Sequence, residues 1–149
     1  MYGKATETAI AAMSRLAEVY DNGTTRLSST EIADSRGLQR PFVAKILSTL
    51  SQAQLIEGTR GPGGGFTFAL PPKDVTLYDV YVLFERSKES PHCPIGGGIC
   101  GGKHPCPLHK QLADVRKAMD KVLHETTFDT FLKAYKKNNG NADWRAENA

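Results

Sequence analysis

Three cysteines, Cys93, Cys100 and Cys106, lie within one fourteen-residue loop, and His109 follows the last of them. Six residues separate the first two thiols, five separate the next two, and two lie between Cys106 and His109. Thiolates gathered on a glycine-rich loop are typical ligands of zinc or of an iron–sulfur cluster. An odd number of cysteines argues against a disulfide framework, since one thiol would lack a partner. The loop therefore predicts an inorganic centre.

Three thiolates leave a four-coordinate site one ligand short. His109 lies one helical turn past Cys106, so its imidazole could face the same ion, and this spacing permits a Cys₃His zinc site. The glycines of the loop favour an iron–sulfur cluster instead, because they let backbone N–H groups turn toward the sulfurs. We interpret the neighbouring His92 and His104 as solvated. The glycines concerned are Gly96, Gly97, Gly98, Gly101 and Gly102.

Composition indicates a globular chain of 149 residues, with 40% hydrophobic and 23% charged residues. The N-terminus lacks the apolar stretch of a signal peptide, and no later run is long enough to span a bilayer. With reduced cysteines and no export signal, we expect a cytoplasmic protein without a membrane partner. The net charge is only +3, and residues 1–70 carry seven Lys/Arg against six Asp/Glu. Charge alone therefore does not identify a nucleic-acid binder.

The elements that must position the loop begin with a predicted helix-turn-helix. Apolar residues at helical spacing predict a first helix from about Thr6 to Tyr20. Ser28 and Glu31 have the form of a capping box that opens a short second helix, which Gly37 ends. A third helix follows over residues 38–50, in which Pro41 fits the first turn. An αα-hairpin without a DNA-binding role would show the same pattern.

A β-hairpin is predicted directly after these helices. Residues 55–60 and 66–70 resemble short strands, and Gly61-Pro62-Gly63-Gly64-Gly65 separates them. A helix-turn-helix followed by a β-hairpin is a winged helix. Arg60 stands at the base of this wing, where it could enter a minor groove or meet phosphate. A phosphate-binding P-loop is excluded, because no Gly-Lys-Ser/Thr follows the glycines.

Beyond the wing, Thr76 and Asp79 cap another predicted helix, and the cysteine loop follows it. The next apolar residues are spaced four, three, four and three, which is the a/d seam of a heptad repeat and predicts a homodimer. A long helix packed on its own domain is the alternative. Thr127 could cap a last short helix, and the tail from Asn138, with Trp144, looks loose. The seam residues are Leu108, Leu112, Val115, Met119 and Val122.

These patterns predict a mainly α fold with a small β-hairpin wing, namely a winged helix-turn-helix domain plus a long dimerisation helix. The expected divisions are a DNA-binding domain over 1–72, a connecting helix and cluster-binding loop over 73–106, dimerisation and C-terminal helices over 107–137, and a tail over 138–149. A dimer of this kind would place two recognition helices in successive major grooves, so double-stranded DNA with an inverted repeat is the expected partner.

Base contacts are predicted for Gln39 and Arg40, because Gln can pair with adenine and Arg with guanine. The side chains better suited to bind backbone phosphate are those of Lys45, Ser28 and Thr30. Each of these could equally be a solvated surface side chain. The predicted DNA face is completed by Pro41 at the start of the recognition helix and by Arg60, Gly61, Pro62 and Gly63 of the wing.

With these residues in place, the chain resembles the IscR/NsrR family of bacterial iron–sulfur transcription regulators. The resemblance runs from about Lys4 to Leu132, and its most specific parts are Thr59-Arg-Gly-Pro-Gly-Gly-Gly-Phe66 and the triple-cysteine loop that ends Cys106-Pro-Leu-His109. It implies a homodimeric winged-helix protein whose DNA affinity depends on its cluster. The chain departs from IscR in its first cysteine spacing, six residues against five, and in Ala44, where IscR has a glutamate.

The resemblance implies two alternative cluster sites. In IscR-like members, a histidine at the position of His109 completes a [2Fe–2S] site. In NsrR-like members, the three cysteines hold a [4Fe–4S] cluster, and an acidic residue of the partner's first helix, here Glu7, completes it. Glu7 could also be a favourable acid near a helix N-terminus.

The expected function is a DNA-binding regulator, a repressor, whose iron–sulfur cluster senses nitric oxide, redox state or cluster supply. A zinc-bound winged-helix regulator is the alternative within DNA binding. An electron-transfer protein is the alternative from another class. An enzyme is not expected, since the sequence shows no substrate-pocket motif and no nucleophile–base constellation.

Overall fold

Helices dominate the computed structural model, which describes residues 2–85, 93, 95 and 99–141. The expected fold class is confirmed, because these residues form six α-helices and one antiparallel hairpin. None of the helices in the described ranges is long and apolar enough to cross a membrane. The helices are α1 (Lys4–Glu18), α2 (Ser29–Arg36), α3 (Arg40–Gln52), α4 (Leu77–Phe84), α5 (His109–Glu125) and α6 (Asp129–Lys137); the strands are β1 (Ile56–Thr59) and β2 (Gly65–Phe68).

The turn between α2 and α3 forms as the sequence predicts. The Ser28 hydroxyl accepts a hydrogen bond from the Glu31 N–H at 3.1 Å, and the Glu31 carboxylate accepts one from the Ser28 N–H at 2.7 Å. Gly37 ends α2 with φ +62°, a left-handed conformation that glycine adopts without steric cost. Pro41 lies in the first turn of α3, where its missing N–H is not needed. The predicted helix-turn-helix is therefore present.

One hydrophobic core joins the helix-turn-helix to the C-terminal helices. It includes Leu123 of α5 and the fully buried Phe128 that precedes α6. The Phe128 ring lies 5.7 Å from that of Phe68 in β2 and 5.8 Å from that of Phe131 in α6. The α6 helix consequently packs against α1. The divisions expected at residues 72, 106 and 137 stay a prediction.

The wing forms a β-bridge with the segment that precedes α2. Leu27 and Phe66 exchange backbone hydrogen bonds, with the Leu27 N–H donating at 3.1 Å and the Phe66 N–H at 2.8 Å. A Cβ on Gly65 would lie 2.7 Å from the Leu27 carbonyl oxygen, and Gly65 has φ +135°. Glycine therefore allows this close approach of two backbones. The sequence pattern does not predict this contact of Leu27 with the wing.

Two expectations about helix ends are wrong. The first helix begins at Lys4 rather than at Thr6, because the Glu85 carboxylate at the end of α4 accepts a hydrogen bond from the Gly3 N–H at 2.7 Å. The predicted cap of α6 by Thr127 is also wrong. Phe128 occupies the N-cap position, and its ring enters the core. Both results follow from tertiary contacts that no local pattern reports.

Candidate metal centre and nucleic-acid interface

The described donors of the cysteine loop form two pairs. The sulfur atoms of Cys93 and Cys106 lie 3.6 Å apart, and the sulfur of Cys100 lies 3.3 Å from Nδ1 of His109. All three cysteines are free and partly exposed. His104, which is expected to be solvated, is exposed. His92 and Gly96, Gly97 and Gly98 lie outside the described residues.

The spacing of the first pair fits joint ligation of one metal ion. Two sulfurs held tetrahedrally at about 2.3 Å from a metal lie about 3.8 Å apart. A disulfide would bring them to about 2.0 Å. Among the residues that the structure describes, no three His, Cys, Asp or Glu side chains are grouped as a metal site. The structure thus brings donors together as two pairs and not as one set of four.

The start of α5 positions the second pair. The His109 N–H donates to the Cys106 carbonyl oxygen at 2.9 Å, so the helix begins directly after the last cysteine. Gly101 has φ +85°, and a Cβ there would lie 3.4 Å from the His109 ring. Two turns further along α5, Nη2 of Arg116 lies 3.7 Å from the Cys100 sulfur. Arg116 was not predicted from sequence, although its heptad spacing from His109 could have indicated it.

The thiols must lose their protons to bind metal. The hydrogen bond shared with Cys93 raises the pKa of Cys106 above the ordinary thiol value. A cation bound between these sulfurs would act in the opposite direction, since a coordinating thiol is deprotonated. Binding at this pair is therefore expected to release protons.

Glu7, the alternative ligand expected from the resemblance, lies on α1 and not in the loop. Its carboxylate forms an ion pair with Lys4 at 3.2 Å, and half of its side chain is exposed, 52%. A pair this exposed contributes little stability. Glu7 is therefore accessible to a second subunit.

The side chains predicted to face DNA lie on an exposed surface. Ser28 is the exception, since it is partly buried and its hydroxyl is engaged in the α2 capping box. The wing turn is closed by a hydrogen bond from the Gly64 N–H to the Gly61 carbonyl oxygen at 2.9 Å. The exposed members are Thr30, Gln39, Arg40, Pro41, Lys45, Arg60, Gly61, Pro62 and Gly63.

A groove of about 490 Å³ lies between α3 and the wing. Arg60 lines it from the wing, and Ser48 and Ser51 line it from α3. A guanidinium beside hydroxyl groups is a suitable environment for a phosphate oxygen. Sequence reasoning found Arg60 but missed the two serines, of which Ser48 is exposed and Ser51 is half-buried.

A buried ion pair ties α2 to α1. Arg36 donates to the Glu18 carboxylate at 2.6 Å and to the Ser14 hydroxyl at 3.1 Å, and the Arg36 and Glu18 side chains are each only 2% exposed. Breaking such a pair leaves an uncompensated buried charge, at a cost of about 3–5 kcal/mol. The position of the helix-turn-helix is consequently fixed relative to α1. Sequence reasoning missed this pair, because the two charges are distant along the chain.

The apolar stripe of α5 divides between the core and the surface. Leu108, Val115 and Val122 recur every seven residues and remain 46%, 51% and 51% exposed. Met119 and Leu123 lie on the adjacent side of the helix and pack against the core of the same chain. One side of α5 therefore packs on its own chain, as the alternative interpretation expected, and a dimer through the exposed side stays a prediction.

Similarity to known proteins agrees with this architecture. Residues 2–134 match the Rrf2 family, described as iron-dependent transcriptional regulators. The HTH-type transcriptional regulator IscR of Cereibacter sphaeroides is 24% identical over 127 residues, which cover 84% of this chain and 82% of that protein.

A shorter match has higher identity. BadM of Rhodopseudomonas palustris, a candidate HTH-type transcriptional regulator, is 46% identical over 68 residues, which cover 46% of this chain and 44% of BadM. The match thus spans less than half of that relative. Among solved structures, CymR, the global cysteine regulator of B. subtilis, has a TM-score of 0.71 at 22% identity and covers 90% of this chain and 97% of its own. That likeness shows the fold alone.

Proposed function

Because this chain belongs to the Rrf2 family of transcriptional regulators, we propose that it is a homodimeric repressor whose DNA affinity is controlled by an iron–sulfur cluster. Cys93, Cys100 and Cys106 hold the cluster, with His109 or Glu7 as the fourth ligand. Nitric oxide, redox state or cluster supply provides the signal. The family description, iron-dependent, supports the choice of an iron centre.

The pairing of the donors carries this proposal. A [2Fe–2S] cluster takes two protein ligands on each iron, as the mixed cysteine and histidine sites of Rieske proteins illustrate. Cys93 with Cys106 and Cys100 with His109 supply such pairs, at 3.6 Å and 3.3 Å. This arrangement favours His109 over Glu7 as the fourth ligand. When bound, the cluster supplies a labile, redox-active centre between the DNA-binding helices and α5.

Three contacts lead from the end of α4, which precedes the cluster loop in the chain, to α2 of the helix-turn-helix. Glu85, after which the chain runs to the loop, accepts hydrogen bonds from the Gly3 N–H and the Thr6 hydroxyl at the start of α1. The buried pair of Arg36 and Glu18 then joins α1 to α2. A movement of the loop would therefore shift α1 and, through Arg36, the helix-turn-helix.

Dimerisation through α5 completes the proposed mechanism. The exposed edge formed by Leu108, Val115 and Val122 is a narrow apolar seam of heptad spacing, which a second copy of the helix would cover. Two recognition helices would then meet an inverted repeat in successive major grooves. The salt dependence of binding should be steep, since Lys45 and Arg60 are assigned to phosphate.

A zinc-bound regulator is the second candidate. Three thiols and an imidazole are a standard structural zinc set, and the separation of 3.6 Å between Cys93 and Cys106 suits either metal. In that case the centre would be structural, and the signal would act elsewhere.

Native mass spectrometry of the dimer, purified without oxygen, tests the proposal. The wild type is compared with Glu7→Ala and His109→Ala, and His104→Ala serves as the control because it removes an exposed imidazole from the same loop. The expected result is a [2Fe–2S] mass that is lost in His109→Ala and retained in Glu7→Ala and His104→Ala.

Other masses would redirect the assignment. A [4Fe–4S] mass lost only in Glu7→Ala would support the NsrR-like arrangement across the dimer. Zinc in place of iron would overturn the sensing mechanism and leave the DNA-binding function standing. An unaltered cluster in all three variants would exclude both proposed fourth ligands.

A further inference from the structure

A bidentate ion pair spans the turn of the helix-turn-helix. Arg40, the first residue of α3, donates from Nε to one carboxylate oxygen of Asp34 at 2.9 Å and from Nη2 to the other at 2.8 Å. Asp34 lies on α2, and both side chains are exposed. We propose that Asp34 is a positioning residue for sequence recognition, which holds Arg40 so that it reads a guanine of the operator. This inference rests on the proposed DNA-binding function.

The geometry of the guanidinium supports this role. The group is planar and has two edges that can each donate a pair of hydrogen bonds. Asp34 occupies the edge formed by Nε and Nη2. The edge formed by Nη1 and the second hydrogen of Nη2 points away from that carboxylate. It matches the O6 and N7 acceptors that guanine presents in the major groove.

Fixing the side chain in advance also favours selective binding. An unpartnered arginine loses rotamer freedom when it meets a base, which weakens binding. A guanidinium already held by Asp34 has less freedom to lose. Its direction is fixed as well, so adenine, which offers an N6 donor where guanine has O6, is rejected more strongly.

A purely structural role for the pair is less consistent with the turn. Gly37 already closes α2 with a left-handed conformation, and the Leu38 N–H donates to the Ala33 carbonyl oxygen at 2.9 Å. Exposed ion pairs usually contribute little to stability. Neutralising Asp34 should therefore change the melting temperature little.

Charge and positioning have opposite effects on binding. A carboxylate at the DNA face repels phosphates, so removing it should strengthen binding to every sequence. Removing the positioning contact should weaken the preference for guanine. A variant that binds all DNA more tightly and discriminates less would display both effects together.

The test is selection from random-sequence duplexes with the full chain purified without oxygen. Wild type and Arg40→Ala are compared first, to find the position at which the protein's preference for guanine depends on Arg40. Asp34→Asn is then assayed on the selected duplex with that guanine or with adenine in its place. Glu57→Gln is the matched control, because it removes one exposed carboxylate, which pairs with the half-buried Arg26 at 3.0 Å on the wing strand.

In Asp34→Asn, the preference for guanine over adenine should fall about tenfold, within the range of a bidentate arginine–guanine contact. Glu57→Gln should retain the wild-type preference. Undiminished discrimination in Asp34→Asn, or a large drop in its melting temperature, would overturn the positioning role. An Arg40→Ala variant that keeps the wild-type preference at every base pair would also overturn the positioning role. The DNA-binding function would stand in that case. A wild type that enriches no sequence would overturn that function too.

Discussion

At the scale of single residues, the cysteine loop and the DNA face differ in what the sequence could reveal. The thiols and His109 were identified from type and spacing, and the structure pairs them. Asp34 and Arg116 were missed, because a charged surface side chain has no distinctive pattern until its partner is known. The assignments of the individual ligands and DNA contacts stay predictions.

Replacing Cys100 with Ser should abolish the proposed cluster and spare the fold. Cys100 is partly exposed and lies outside the hydrophobic core, so the core residues keep their contacts. Iron and sulfide content measures the cluster, and far-ultraviolet circular dichroism measures the helices. A collapse of the helical signal would contradict this expectation. His104→Ala, in the same loop, should change neither quantity.

Replacing Arg60 with Ala should weaken binding to all DNA sequences by a similar factor. Arg60 is exposed beside the groove between α3 and the wing, where it is expected to meet phosphate. The loss of one phosphate contact should lower the slope of log K against log salt by about 1. Fluorescence anisotropy over a series of salt concentrations measures it. Lys137→Ala, an exposed cation at the end of α6, is the control and should leave the slope unchanged.

At the scale of elements, local interactions determine the helix-turn-helix, whereas the position of the wing also depends on long-range contacts. The capping box, the Gly37 turn and Pro41 all act within a few residues, so the sequence predicted α2 and α3 well. The strands of the wing were also predicted. Their bridge to Leu27 was not, because Leu27 contacts Phe66 from a distant part of the chain.

Gly65→Ala should destabilise the wing more than Gly63→Ala. Both glycines have positive φ, +135° and +74°, which costs an alanine about 1–2 kcal/mol. A Cβ at Gly65 would also meet the Leu27 backbone at 2.7 Å, whereas one at Gly63 would meet nothing within 4 Å. Thermal unfolding should therefore show the larger loss for Gly65→Ala. Equal losses would mean that the bridge between Leu27 and Phe66 is dispensable.

At the scale of the whole molecule, the match to the Rrf2 family confirms the resemblance to IscR-type regulators that the sequence predicted. Transcriptional regulation is therefore the function at the level of the family. One side of the α5 helix packs on the core of its own chain, and the adjacent side stays exposed. Only the exposed side is available to a partner.

Val115→Glu should convert the proposed dimer to a monomer. Val115 lies at the middle of the exposed seam, so a carboxylate there would be buried without a partner in the dimer. Lys117→Ala gives the same change in net charge at an exposed position on the opposite side of α5 and should stay dimeric. Analytical ultracentrifugation measures both. A dimeric Val115→Glu protein would place the interface elsewhere.

The sequence by itself determined what depends on residue type and short-range spacing. This holds for the thiol loop, the caps of α2 and α4, the glycine turn of the wing and the heptad spacing in α5. Each of these follows from hydrogen bonding, backbone freedom or helical periodicity within a few residues. The family was indicated by a resemblance, which the wing segment and the cysteine loop carried.

Tertiary structure alone decided which distant groups meet. It paired Arg36 with Glu18 in the interior, Glu85 with the start of α1, and Arg40 with Asp34. It also decided which side of α5 faces the core. Each pairing depends on how the helices pack. For Arg36 and Glu18, burial also removes competing water, so a partner becomes obligatory once the surrounding side chains are in place.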